Sequence, residues 1–169
     1  MDERLINEAI AGSREAFATL YGSYKDRLYR YALYRLGSPE DAEDAVGECV
    51  LAAWKNIGSL RSSKAFSSWI FRILSNCCAS RIKEAIGSRE GIEKVIREGG
   101  FIPGGSNPSL AVELNEAMAE LSDQEREIVL LSVIAGMTSS EIAGLTGLPA
   151  GTVRSKLSRS LAKMREFLS

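Results

Sequence analysis

The stretch from Thr138 to Arg159 constrains the fold more than any other part of this chain, because it writes two short helices and the turn between them in succession. Thr138 followed three positions later by Glu141 is a capping box, which starts a helix by satisfying two otherwise free backbone donors. Ile142, Ala143 and Leu145 give that helix a small apolar face, with Ala143 allowing close approach of a neighbour. Gly147 ends it, as glycine does just past a C-cap. Pro149 suits the first turn of the next helix, where a missing N–H does no harm. Val153, Leu157, Leu161 and Met164 recur at helical spacing and predict one buried stripe. Arg154, Ser155, Ser158 and Arg159 lie off that stripe and face outward. Such a pair is a helix-turn-helix, whose second helix enters the major groove of DNA. There arginine pairs with guanine through two hydrogen bonds, and hydroxyls take bases or phosphates. From Gly151 to Ser169 five Lys/Arg stand against one acid, Glu166. The same residues also read as a helical hairpin with a solvated basic face, so the rest of the chain must decide.

With 169 residues the chain has room for one ordinary domain or two small ones. Its 21 Lys and Arg against 22 Asp and Glu leave a net charge of −1. Phosphate neutralisation supplies most non-specific affinity for DNA, so bare DNA should be bound weakly and a partner should hold the chain there. The sequence contains no histidine, which removes Cys–His and Ser–His–Asp machinery. Of three cysteines, Cys77 and Cys78 are adjacent and Cys49 falls on an apolar stripe. That spacing fits neither a zinc site nor a redox CxxC pair, so the cysteines read as small buried hydrophobes. No catalytic residue, metal site or cofactor is expected. No long apolar run predicts a membrane span, and the acidic start Met1-Asp2-Glu3-Arg4 lacks a signal-peptide core. A cytoplasmic location is expected.

Two helical blocks flank a breaker-rich segment, and no stretch alternates with period two, so the fold class is all-α. In the first block Phe17, Leu20, Tyr21, Tyr24, Leu28, Tyr31 and Arg35 mark one helix face ending near Gly37. The next helix opens with Ser38 as N-cap, Pro39 at its first position and Asp41 closing a capping-box-like pair. Its stripe is Ala42, Ala45, Val46, Cys49, Val50, Ala53, Trp54 and Ile57. A third helix begins around Lys64 and carries Phe66, Trp69, Ile70, Ile73, Leu74 and Cys77. Between them lies the short loop Gly58-Ser59-Leu60-Arg61-Ser62-Ser63. Residues 87–109 hold six glycines and two prolines and read as a linker, with a short amphipathic turn around Ile92–Ile96. The second block has a helix to about Leu121, a capping box at Ser122/Glu125 starting a helix over 123–135, and the helix-turn-helix.

Three further pieces carry a family resemblance. They are Ala16-Phe17-Ala18-Thr19-Leu20-Tyr21, the acidic segment from Ser38 to Trp54, and the segment from Phe66 to Asn76. With Gly151-Thr152-Val153-Arg154-Ser155-Lys156-Leu157 they resemble, in order, a bacterial RNA polymerase sigma factor of the extracytoplasmic-function (ECF) group. That group keeps only the second and fourth sigma domains. The resemblance implies a sigma domain 2-like helical bundle over 1–86, a flexible linker over 87–109 and a sigma domain 4-like helix-turn-helix domain over 110–169. It implies an ECF-type sigma factor that directs core RNA polymerase to promoters, recognises the −35 and −10 elements and supports melting. Its implied partners are core polymerase (β′ clamp helices and β subunit), promoter DNA and an anti-sigma factor, without membrane insertion.

The resemblance also assigns residues. Asp41, Asp44 and Glu48 fall on the exposed face that docks on the β′ clamp helices. An acidic face is a poor DNA surface and a good match for a basic hairpin, although the same acids also read as a solvated helix start. Gly47 departs from the family, which usually carries glutamine there. Arg61, Ser62, Ser63 and Lys64 match the loop that reads the −10 element, where a flipped base is held in a pocket. Trp69 and Asn76 lie on the adjoining helix, as do Phe66, Arg72 and Arg81; for Phe66 and Trp69 a core role stands beside the DNA role. Arg154, Ser155, Ser158 and Arg159 match the −35 readers, and Thr152 and Lys156 would fix the backbone.

A linker of 23 residues has a coil span of ~25–30 Å and a fully stretched span of ~76–83 Å. Two promoter elements two helical turns apart lie ~70 Å from each other, so the linker reaches only when nearly extended. The alternative is a free-standing helix-turn-helix regulator that binds duplex DNA as paired half-site readers, without polymerase.

Overall fold

The computed structural model describes residues 3–86 and 108–169. Its helices are α1 (Glu3–Ile10), α2 (Arg14–Leu36), α3 (Pro39–Asn56), α4 (Phe66–Ile86), α5 (Pro108–Ala119), α6 (Asp123–Val133), α7 (Ser139–Thr146) and α8 (Ala150–Leu168). Single 3-10 turns at Ile57–Ser59 and Ser63–Ala65 carry the chain from α3 to α4. No strand occurs among the described residues, as the all-α reading expects. The segment around Ile92–Ile96 and most of the expected linker lie outside them.

Local chemistry sets the helix ends. Ser38 accepts from the backbone N–H of Asp41 at 3.3 Å, and Pro39 is the first residue of α3. Ser122/Glu125 and Thr138/Glu141 are both reciprocal capping boxes. Their four hydrogen bonds are 3.0–3.1 Å long. The Ser122 backbone N–H holds the Glu125 carboxyl below its ordinary pKa despite partial burial. That cap therefore contributes at neutral pH and is lost as pH falls through the lowered value. Gly147 closes α7 at φ 79°, a left-handed conformation that a side chain disfavours. Pro149 is the N-cap of α8 rather than its first helical residue, a shift of one position that leaves its missing N–H equally harmless.

In the first block α2, α3 and α4 pack face to face, with α1 closing one end against α2 and the 3-10 turns. Tyr24, Tyr31, Phe66, Phe71, Leu20 and Leu28 are fully buried. Tyr24 meets Phe66 edge-on at 5.2 Å between ring centres, and Tyr31 meets Phe71 at 5.9 Å. Such pairs add ~0.5–1.5 kcal/mol each beyond burial. Phe66 thus belongs to the core. Cys49 and Cys78 are buried and Cys77 half-buried, all as free thiols. Burial pushes the Cys78 thiol up to about 12 and raises that of Cys49 further, so neither ionises readily.

In the second block α5, α6 and α7 surround α8. The expected α8 stripe is only partly right: Val153 is fully buried, while Leu157, Leu161 and Met164 are half-buried against the core. Ser160 is fully buried instead, where its hydroxyl donates to Glu125 Oε2 at 3.4 Å. The α8 face turned inward is therefore narrower than apolar spacing alone implies. Arg126 reaches back from α6 to the carbonyls of Met118 in the last turn of α5 and Leu121 just past it.

The blocks touch where α2 packs on α6. Arg35, whose side chain is 3% exposed, fills this seam. It donates to Tyr31 Oη at 3.1 Å and Ser75 Oγ at 3.3 Å in its own block, and to Asp123 Oδ2 at 3.5 Å across the seam.

Candidate functional site

Two surfaces of opposite charge stand out, one in each block. The acidic one forms on α3 because Asp41, Asp44 and Glu48 share the face turned away from the buried Ala42, Ala45, Val46 and Cys49. All three keep substantial exposure, from 32% for the Asp41 side chain to 60% for Asp44. A residue from α4 joins them: the Arg81 guanidinium lies 3.8 Å from Asp41 and 3.9 Å from Asp44, and donates to Glu48 Oε1. Burial opposes its charge, but the Glu48 hydrogen bond and the three carboxylates outweigh it and raise its pKa. From sequence alone Arg81 is placed only on the helix of the −10 reader, with Trp69 and Asn76. The structure turns it towards the acids, a pairing across 33 residues that no local spacing reveals.

Leu51 continues the same face one turn beyond Glu48 and is 67% exposed, an apolar neighbour of the acids that stripe-reading passed over. Gly47 is exposed on α3, and a Cβ there would meet nothing within 4 Å. Replacing it with the glutamine usual in the resembling family should therefore stabilise the chain by ~0.5–1 kcal/mol, through helix propensity alone. Urea unfolding of Gly47→Gln checks this; an unchanged or lower midpoint would contradict it.

The loop after α3 and the exposed side of α4 form a second cluster. Arg61, Ser62 and Lys64 are exposed and Ser63 is half-buried. The Ser62 hydroxyl accepts from the Lys64 backbone N–H at 3.3 Å, fixing the turn that presents them. On α4, Trp69, Arg72 and Asn76 follow at helical spacing: Trp69 is half-buried against Phe66, and the other two are exposed. The structure thus brings the loop residues and Trp69 to one end of α4, with Asn76 two turns along. Arg72 leans across the seam, its Nη2 3.8 Å from where a side-chain carbon would stand on Gly144 of α7.

The basic surface is the outer face of α8. Arg154, Ser155, Ser158 and Arg159 are exposed and line one shallow depression, while Thr152 and Lys156 flank it half-buried. The Arg159 Nε donates to the Ser155 carbonyl at 3.3 Å, and Arg154 lies over Gly151. Two guanidinium forks and two hydroxyls on one open helix face suit a polyanion with readable edges. Among the described residues no group of His, Cys, Asp or Glu is arranged to hold a metal ion. No helix among them is long and apolar enough to cross a membrane.

Comparison with known proteins matches both blocks. Residues 20–85 fit the family described as Sigma-70 region 2, and residues 111–164 fit Sigma-70, region 4. The chain is 27% identical over 182 residues to the ECF RNA polymerase sigma factor SigW of Bacillus subtilis (strain 168), covering 99% of this chain and 97% of that protein. It is 28% identical over 171 residues to the ECF RNA polymerase sigma factor SigM of Mycobacterium tuberculosis (strain ATCC 25618 / H37Rv), covering 99% of this chain and 84% of that one. Its fold resembles CnrH, solved in complex with the cytosolic domain of CnrY, at a TM-score of 0.70 and 24% identity over 99% of this chain and 96% of that one. It also resembles the sigma factor RpoE of Bartonella quintana, solved with the anti-sigma factor NepR, at a TM-score of 0.72 and 24% identity, covering 90% of this chain and 96% of that one.

Proposed function

Because the chain belongs to the sigma-70 family, in its ECF group of RNA polymerase sigma factors, we propose that its acidic and basic surfaces divide the work of initiation between them. The chain directs core RNA polymerase to promoters and supports initiation by recognising the −35 and −10 elements and assisting melting. Residues 1–86 form the polymerase-docking and −10-reading domain, 87–109 the tether and 110–169 the −35-reading domain. Asp41, Asp44 and Glu48 dock on the basic β′ clamp helices, with exposed Leu51 as an apolar contact beside them. Opposite charge there gives orientation and a fast encounter.

Arg61 and Lys64 hold phosphates of the −10 strand, Ser62, Ser63 and Asn76 hydrogen-bond to it, and the Trp69 ring stacks against the opened bases. Arg154, Ser155, Ser158 and Arg159 read the −35 groove, while Thr152 and Lys156 fix the phosphates beside it. The chain performs no covalent chemistry, works in the cytoplasm where polymerase works, and takes an anti-sigma factor as inhibitor. The complexes of CnrH with CnrY and RpoE with NepR support that last partner.

The observation that carries this reading is the separation of charge: carboxylates exposed on α3 and guanidinium groups exposed on α8, within a chain of net charge −1. A free-standing regulator would need its own excess of positive charge to hold DNA. A gel-shift assay separates the two: promoter DNA should shift only when core polymerase is present. Tight, salt-sensitive binding by the chain alone would favour the regulator.

A further inference from the structure

Helical spacing puts Asp41, Asp44 and Glu48 on one face of α3, and the fold then brings a cation of the chain's own to them. Arg81 reaches over from α4, and its guanidinium pairs with all three carboxylates. We propose that Arg81 is an internal competitor on the polymerase-docking face, a cation that a basic partner must displace or outweigh to take those carboxylates. The inference rests on the docking reading above and names the residue that sets how strongly that surface attracts.

Charge is the first support. Three carboxylates and one guanidinium leave the face at −2, where the acids alone would make it −3. Arg81 stands 3.8 Å from Asp41 and 3.9 Å from Asp44. Both distances fall well inside the ~10 Å screening length of ~0.1 M salt, so an approaching cation meets the reduced charge.

Position is the second. The Arg81 side chain is 24% exposed, less than any of the three acids. It is set deeper than the groups it neutralises, so it weakens the attraction without closing off the surface. In these pairs Asp44 engages through Oδ2 and Glu48 through Oε1. The second oxygen of each takes no part in them and can receive a partner's cation, which then stands against Arg81 as a like charge.

The hold is also loose. Arg81 donates a hydrogen bond to Glu48 Oε1, while both aspartates lie beyond hydrogen-bond distance. Its Nε is buried and has no hydrogen-bond partner among the described residues. A guanidinium carries five N–H donors in a fixed fork, so this one is only partly satisfied and can be drawn away. A scaffold that held the acids ready for docking would act in the opposite sense, since its loss would weaken binding.

Equilibrium and stopped-flow titration of the labelled full chain with core polymerase reads that sign. Arg81→Gln should speed association severalfold and tighten affinity about tenfold at low salt, because it unmasks a unit of complementary charge. The gain should shrink as salt rises from ~0.01 M to ~0.1 M and the screening length falls from ~30 Å to ~10 Å. Arg81→Lys keeps the charge and should bind within about twofold of the wild type. Arg81→Met drops the charge but keeps an apolar stem, and it replaces the glutamine variant if that one loses its helical circular dichroism. Unchanged or weaker binding by the neutral variants, or equal tightening by Arg81→Lys, would overturn the competitor. The variant carrying Asp41→Asn, Asp44→Asn and Glu48→Gln is scored separately. If it binds core as tightly as the wild type, the docking reading falls and the competitor with it. If it binds weakly while Arg81→Gln gains nothing, only the role of Arg81 falls.

Discussion

Arg154→Ala combined with Arg159→Ala is expected to erase upstream-element recognition while leaving the chain folded and bound to polymerase. Both guanidinium groups stand on the open face of α8 and line the same depression with Ser155 and Ser158. A bidentate arginine–guanine pair discriminates by ~1–3 kcal/mol, so the two together should cost ~2–6 kcal/mol, or about 30-fold at the low end. The loss should fall on promoters with an intact −35 element, and the reconstituted holoenzyme should bind intact and scrambled −35 sequences alike. Lys156→Ala should behave differently, weakening binding to all sequences equally and flattening its salt dependence, as a phosphate contact does. Neither α8 arginine is buried, and the packing of α8 rests on Val153, Leu157 and the Ser160–Glu125 hydrogen bond, so stability should change little. Retained discrimination between intact and scrambled elements would show that α8 is not the reading helix.

Neutralising the acidic face is the second large effect. Asp41→Asn, Asp44→Asn and Glu48→Gln keep size and polarity but remove three charges. Exposed ion pairs are worth ~0.2–1 kcal/mol each, whereas close charge pairs across an interface reach ~1.5–7 kcal/mol. These side chains are 32–60% exposed and already share Arg81, which places each contribution between the two ranges, at ~1 kcal/mol. Three contributions of ~1 kcal/mol each would lower core affinity about 100-fold. The same pairs with Arg81 are surface pairs and contribute little to folding, so thermal unfolding should move by only a few degrees. Affinity lost without stability lost is the signature of docking, and equilibrium titration of labelled chain with core polymerase reads it. An unchanged affinity would move the docking face elsewhere.

Much of this could be read from the chain itself because its helices advertise their ends. Ser38-Pro39, Ser122/Glu125 and Thr138/Glu141 are local signals, complete within four residues, and the structure forms all three caps. Features that depend on contacts between distant residues stayed hidden. The break between α1 and α2 at Gly12-Ser13 was missed although its signal is local: Gly12 takes φ 107° and the Ser13 side chain accepts from Ala16 N–H at 3.2 Å. Arg35 was placed on the inner face of α2 by spacing, but its counter-charges lie 88 and 92 positions further on. Ser160 in the core and Arg81 among the acids escaped for the same reason, since each is explained by a carboxylate from another helix.

Transcription itself tests the division of labour between the negatively charged α3 and the positively charged α8 most directly. Purified core polymerase should be incubated with genomic fragments, with and without the chain, and the transcript ends mapped. Fixed start sites, each a set distance from a shared pair of upstream elements, should appear only when the chain is added. Identical transcripts in its presence and absence would contradict it.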